Sequence, residues 1–183
     1  MANNLFISGD INSGKTTIVK KIVKNLELEP AGFMVGREGE NLNWSSFYLL
    51  PAEVYINNSE SEIDKLKEKG LFAKRKNNGK CNIKTDVFDN YGIQLLSNFK
   101  NKDTVIMDEL GRFELEAEVF KDRVFEIIKS DFPLIAVIKN ERNSFLNKVR
   151  EILKVPPFYV NKDNREEIYY QAKNRVEKIL EDR

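Results

Sequence analysis

The chain has 183 residues, with 30 Lys or Arg against 29 Asp or Glu, no histidine and one cysteine. Its length suits one domain, 1–183, with a proper core, and a net charge of +1 gives no global field to argue for nucleic acid or membrane. The missing histidine excludes Ser-His-Asp and Cys-His triads, histidine bases and His-containing zinc sites, and Cys81 alone excludes intramolecular disulfides and Cys-rich metal sites.

Leu5-Phe6-Ile7-Ser8 opens the chain as a short apolar run and reads as a buried strand. The N-terminus is thus expected to be structural rather than a signal segment, and no apolar run nears the length of a membrane span. With one cysteine, a reducing, cytoplasmic setting is expected. Gly9-Asp10-Ile11-Asn12-Ser13-Gly14-Lys15-Thr16 comes next and fits G-x-x-x-x-G-K-[ST], the phosphate-binding P-loop. Ile18 to Leu26 then sets its apolar residues on one helical face. Strand, glycine loop and helix are the context that this motif needs.

The spacing has a physical purpose. A nucleoside triphosphate brings several negative charges that must be neutralised without clashes. Gly9 and Gly14 let the backbone turn tightly and come close to phosphate. The amides from Asn12 and Ser13 through Thr16 and Thr17 form an anion nest, reinforced by the helix dipole. Lys15 is placed to reach the β- and γ-phosphates and the Thr16 hydroxyl to ligate Mg²⁺. Asp10 is odd in an anion-binding loop; its expected role is a turn hydrogen bond to the loop backbone.

Gly32 to Gly36 reads as a second strand, and Phe47 to Leu50 with Val54 to Ile56 as a hairpin beside it. Trp44, Phe47, Tyr48 and Tyr55 are expected to pack rather than stack on a base. Glu60 to Lys69 predicts a surface helix and Lys74 to Lys80 a basic loop; residues 59–80 are a candidate lid or a surface insertion. The acids among those lysines and the lack of an aromatic ladder argue against nucleic acid. Asp86 to Phe99 predicts a helix.

Thr104 to Met107 predicts a strand that delivers Asp108-Glu109 at its tip, the Walker B form. Asp108 is placed to hold Mg²⁺. Glu109 beside it can orient or deprotonate an attacking water, a role no histidine is present to take. Arg112 follows as a phosphate contact or a partner of Glu114. Ala117, Phe120, Val124 and Ile127 recur at helical spacing; Leu134 to Ile138 is another buried strand; Phe145 to Leu153 a helix; Pro157 to Val160 a last strand; Ile168 to Leu180 the final helix. This alternation predicts an α/β fold, a mainly parallel sheet with helices on both faces, and a ligand at the carboxyl ends of the strands. Arg37 and Arg165 are further candidates for phosphate charge stabilisation.

Asp108-Glu109-Leu110-Gly111-Arg112-Phe113-Glu114-Leu115 resembles the Asp-Glu-Ile-Gly-Lys-Met-Glu-Leu block of the THEP1-type nucleoside-triphosphatases. Gly32-Phe33-Met34-Val35 with Arg37-Glu38-Gly39, and Val160 to Ile168, are similar to further segments of that family. The resemblance implies a RecA-like variant of the P-loop fold and Mg²⁺-dependent hydrolysis of ATP, GTP and other triphosphates with loose base preference. It assigns Gly9, Gly14, Lys15 and Thr16 to phosphate and metal, and Asp108 and Glu109 to metal and water. The loop departs from the family, which has a proline before Gly-x-Gly-Lys. The competing readings are a small-molecule or nucleotide kinase, and a nucleotide-dependent switch or assembly module with slow hydrolysis. No protein partner is legible.

Overall fold

A computed structural model describes residues 3–39, 43–76, 79–153 and 155–182. Its elements are β1 (Asn4–Gly9), α1 (Lys15–Asn25), β2 (Pro30–Glu38), β3 (Ser46–Pro51), α2 (Ala52–Asn57), α3 (Glu60–Gly70), β4 (Leu71–Arg75) and β5 (Cys81–Ile83). There follow α4 (Thr85–Val87), a π-helical turn (Phe88–Gly92), α5 (Ile93–Leu95), β6 (Thr104–Leu110), α6 (Glu118–Lys129), β7 (Leu134–Ile138), α7 (Ser144–Ile152), β8 (Phe158–Val160) and α8 (Arg165–Glu181).

Eight strands form one sheet in the order β5-β4-β3-β2-β6-β7-β1-β8. The pairings β2–β6, β6–β7, β7–β1 and β1–β8 are parallel. β3, β4 and β5 extend the sheet as an antiparallel wing. Burial on both faces explains the unbroken apolar runs of the central strands. Along them, successive side chains join opposite layers. Leu5, Ile7, Ile106, Ile135 and Val137 pack with α1, α2 and α8. Phe6, Val105, Met107, Leu134 and Ala136 pack with α6, α7 and the π turn. The parallel strands therefore end together, and β7 separates the tip of β1 from the tip of β6.

The expected second strand of the hairpin, Val54 to Ile56, is helical instead. α2 begins at Ala52, directly after Pro51 ends β3, and its Ala52 and Ile56, one helical turn apart, are buried in the layer with α1 and α8. The expected loop at Lys74 to Lys80 is shorter, because Lys74 and Arg75 finish β4 and β5 starts at Cys81; its residues 77 and 78 lie outside the described ones. The helix expected from Asp86 to Phe99 ends at Leu95 and opens into a π turn that buries Phe88 and Tyr91. Among the described residues no helix is long and apolar enough to cross a membrane.

Candidate functional site

The P-loop leaves β1 on a backbone that ordinary residues avoid. Gly9 has φ 135°, and a Cβ there would sit 2.0 Å from the Val160 carbonyl oxygen, which the Asp10 amide already uses at 3.0 Å. Asn12 has φ 58°. Gly14 caps α1 at φ 95°, where a Cβ would come 2.8 Å from Arg165 Nε. The loop is therefore fixed by β8 and α8 as much as by its own glycines.

Its side chains converge. Lys15 Nζ donates to the carbonyl oxygens of Gly9 (3.1 Å) and Asp10, and lies 3.5 Å from Ser13 Oγ. Burial lowers the Lys15 pKa; the Glu109 carboxylate is the strongest charge opposing that shift, followed by Asp108 and Asp10. Thr16 Oγ1 donates to both Asp108 oxygens, at 3.1 and 3.3 Å, across 92 residues of sequence. Asp108 is fully buried, and burial, with Glu109 beside it, pushes its pKa up to about 7 against the Thr16 hydroxyl and the Val35 backbone.

Glu109 follows with φ 60°, a left-handed conformation that is costly for a residue with a side chain. The β6–β7 register breaks between Met107 and Leu110, so Asp108 and Glu109 occupy an irregularity that turns their side chains away from strand alternation. Glu114, 1% exposed, accepts the Gly111 amide at 2.9 Å and closes the turn; burial raises its pKa to about 7.

The sequence-expected residues fare differently. Gly9, Asn12, Ser13, Gly14, Lys15, Thr16, Asp108 and Glu109 come together. Arg165 joins them: its Nε donates to the Ser13 carbonyl at 2.8 Å. Thr17 is exposed on α1. Arg37 is exposed near the end of β2, where its charge and those of Asp108 and Glu109 all act on Tyr55. Arg112 lies over the Phe113 ring at 5.4 Å, and the Glu114 carboxylate bonds Gly111. Asp10 departs from its expected backbone bond: its Oδ1 accepts the Tyr159 hydroxyl at 2.7 Å, and that hydroxyl accepts Asn140 Nδ2 at 3.1 Å. Trp44, Phe47 and Tyr48 pack as expected, with Trp44 and Phe47 ring centroids 4.6 Å apart.

Lys139 and Tyr159 went unnoticed in the sequence. Lys139 Nζ stands 3.5 Å from Glu109 Oε2, and Tyr159 holds Asp10. Lys139 has one signal, its position directly after the buried strand β7, whereas Tyr159 lies exposed on the short edge strand β8.

The donor set suits Mg²⁺. That ion takes hard oxygen ligands and keeps waters or phosphate oxygens in its shell. Thr16 and Asp108 offer a hydroxyl and a buried carboxylate in contact. Among the described residues no group of three or more His, Cys, Asp or Glu could hold a metal by protein ligands alone.

Residues 4–172 match a family model described as NTPase. The chain is 26% identical to the nucleoside-triphosphatase THEP1 of Methanocaldococcus jannaschii over 94% of its own length and 96% of the relative's. It is 28% identical to the nucleoside-triphosphatase THEP1 of Thermotoga maritima over 88% of each chain. The crystal structure of THEP1 from Aquifex aeolicus superposes with a TM-score of 0.67 at 22% identity, covering 92% of this chain and 95% of that one, and so has the same fold.

Proposed function

The chain belongs to the NTPase family of THEP1-type nucleoside-triphosphatases, and from that premise we propose that it hydrolyses ATP, GTP and other triphosphates to diphosphate and phosphate with Mg²⁺, Glu109 orienting the attacking water. The observation that carries this reading is the contact of the Thr16 hydroxyl with buried Asp108, with Glu109 next in sequence on strained backbone. Strain of this kind persists where the surrounding structure over-determines it, and it concentrates at functional sites.

The residues divide the work. Amides of the Gly9–Thr16 loop and the N-terminus of α1 receive the phosphates. Lys15 leaves the loop carbonyls for the γ-phosphate and neutralises charge spreading over it. Arg165, braced on Ser13, holds the loop's shape from the outside. Thr16 and Asp108 hold Mg²⁺, which supplies charge neutralisation at the phosphate oxygens when bound. Glu109, only partly buried, aligns water and accepts its proton. The molecule acts as one domain, 1–183. Residues 59–80 are read as an insertion rather than a lid, because Lys67 pairs with Glu38 and Asp64, and Lys69 donates to Gln94.

The test is phosphate release from ATP, GTP, CTP and UTP with Mg²⁺, with no acceptor added. Release from several of them, abolished by EDTA and by Lys15→Ala, is expected. A Lys15→Ala enzyme as fast as wild type would remove the reading, and ADP formed only with an added acceptor, with the phosphoryl group on that acceptor and no free phosphate, would make the protein a kinase.

A further inference from the structure

Glu109 needs something to hold its carboxylate, because neither of the usual restraints applies to it. The strand alternation has been broken at Met107–Leu110, and the backbone at Glu109 is left-handed. The side chain that meets it comes from the neighbouring strand. Lys139 directly follows β7, and its amide donates to the Leu110 carbonyl at 2.9 Å, so its backbone is locked to the tip of β6. Its ammonium lies 3.5 Å from Glu109 Oε2, 4.9 Å above the centre of the Phe113 ring and 5.9 Å from that of Phe47. Its stem runs against the turn: a Cβ added to Gly111 would meet Lys139 Cδ at 2.7 Å. Both partners of the ion pair are only partly exposed, 26% for Lys139 and 35% for Glu109. Two ring faces and a glycine turn confine the ammonium on one side, and the carboxylate it faces is the one charged with water.

We propose that Lys139 is a positioning residue for hydrolysis: pinned by Phe113 and the Gly111 turn, it fixes the direction of the Glu109 carboxylate relative to the P-loop. The inference rests on the role assigned to Glu109 above. It separates Lys139 from Lys15, which binds phosphate. Lys139 acts through Glu109, so its loss slows turnover and leaves nucleotide binding in place.

The experiment is a double-mutant cycle on steady-state ATP hydrolysis with Mg²⁺, using Lys139→Met, Lys139→Arg, Glu109→Ala and the Lys139→Met/Glu109→Ala pair. Met keeps an apolar stem against the Phe113 ring and the turn while deleting the charge. Because a misplaced catalytic group costs up to about 100-fold, Lys139→Met is expected to lower kcat roughly 10- to 100-fold. With ground-state binding untouched, KM stays within about 2-fold. Lys139→Arg restores most of the rate, and in the Glu109→Ala background Lys139→Met has no further effect. A raised KM with unchanged kcat, or an equal further loss without Glu109, would overturn the inference. A slow Glu109→Ala with Lys139→Met at the wild-type rate would overturn it alone. A Glu109→Ala enzyme at the wild-type rate would instead remove the role proposed for Glu109.

Discussion

On the parallel side of the sheet, the tips of β1 and β6 carry charges and awkward backbone; on the antiparallel side, β3 and β4 carry packed rings, Phe47 and Phe72. The first side holds buried Asp108 and Glu114, the half-buried Lys15, and left-handed residues at Asn12 and Glu109. The left-handed conformation costs about 1–2 kcal/mol at Glu109 and less at Asn12, whose short polar side chain tolerates it. The second side packs Phe72 against Phe47, Phe88 and Phe113, with centroids 6.0, 4.8 and 5.5 Å apart. Aromatic pairs of this kind contribute about 0.5–1.5 kcal/mol each beyond the area they bury. One sheet thus spends stability at one end of its strand order and gains it at the other. Phe113 joins the two, since its ring packs on Phe47 and Phe72 while its chain neighbours carry the site.

Paired substitutions sharpen this contrast. The largest expected effect is Lys15→Ala, a loss of 100-fold or more in kcat/KM, roughly the scale of deleting one preorganised charge-stabilising group. Its melting temperature should stay near that of wild type. Phe72→Ala should do the reverse: about 3–5 kcal/mol of unfolding free energy lost in a denaturant titration, with kcat per folded molecule unchanged. If Phe72→Ala disabled folded enzyme, the division between the halves would fail.

A pH measurement comes next. Burial raises the Glu114 pKa from its ordinary 4.5 to about 7. The folded state therefore holds a proton that the unfolded chain has lost between those values. Stability from this group is full below about pH 4.5 and is lost as pH rises through about 7, at most on the order of 3 kcal/mol. Glu114→Gln keeps an acceptor for the Gly111 amide and cannot titrate. Chemical denaturation from pH 5 to 8 should show a shallower fall for this variant than for wild type. Parallel curves would mean that Glu114 is not the group responsible.

The smallest effect concerns the loop tether. Tyr159→Phe removes the hydroxyl that Asp10 accepts. One hydrogen bond contributes about 0.5–1.5 kcal/mol, so KM for ATP should rise by about 2- to 10-fold with little change in melting temperature. An unchanged KM would show that the Asp10 tether is idle in binding.

The parallel side was the more legible in the sequence. Its strands are buried on both faces, so they read as apolar runs, and the P-loop and the Asp108-Glu109 tip carry spacing signals within a few residues. The wing was harder. β4 and β5 are five and three residues long, too short for alternation to stand out from the lysines around them. α2 reads as a strand because Val54, Tyr55 and Ile56 favour strands one by one, and because Ala52 and Ile56, four residues apart and both buried, share a face in a strand as they do in a helix. Within the site, Lys139, Tyr159 and Arg165 reach their partners across 30, 149 and 152 residues. No local pattern encodes such meetings; the parallel order β6-β7-β1-β8 does.

The central claim is that water, not a substrate hydroxyl, attacks the γ-phosphate. Turnover of ATP in ¹⁸O-enriched water, with the products read by mass spectrometry, tests it directly. One ¹⁸O atom from solvent in each released phosphate, and none in the ADP, is the expected result. Solvent label in the ADP, or ADP formed only when an acceptor is supplied and with the phosphoryl group on that acceptor, would contradict it.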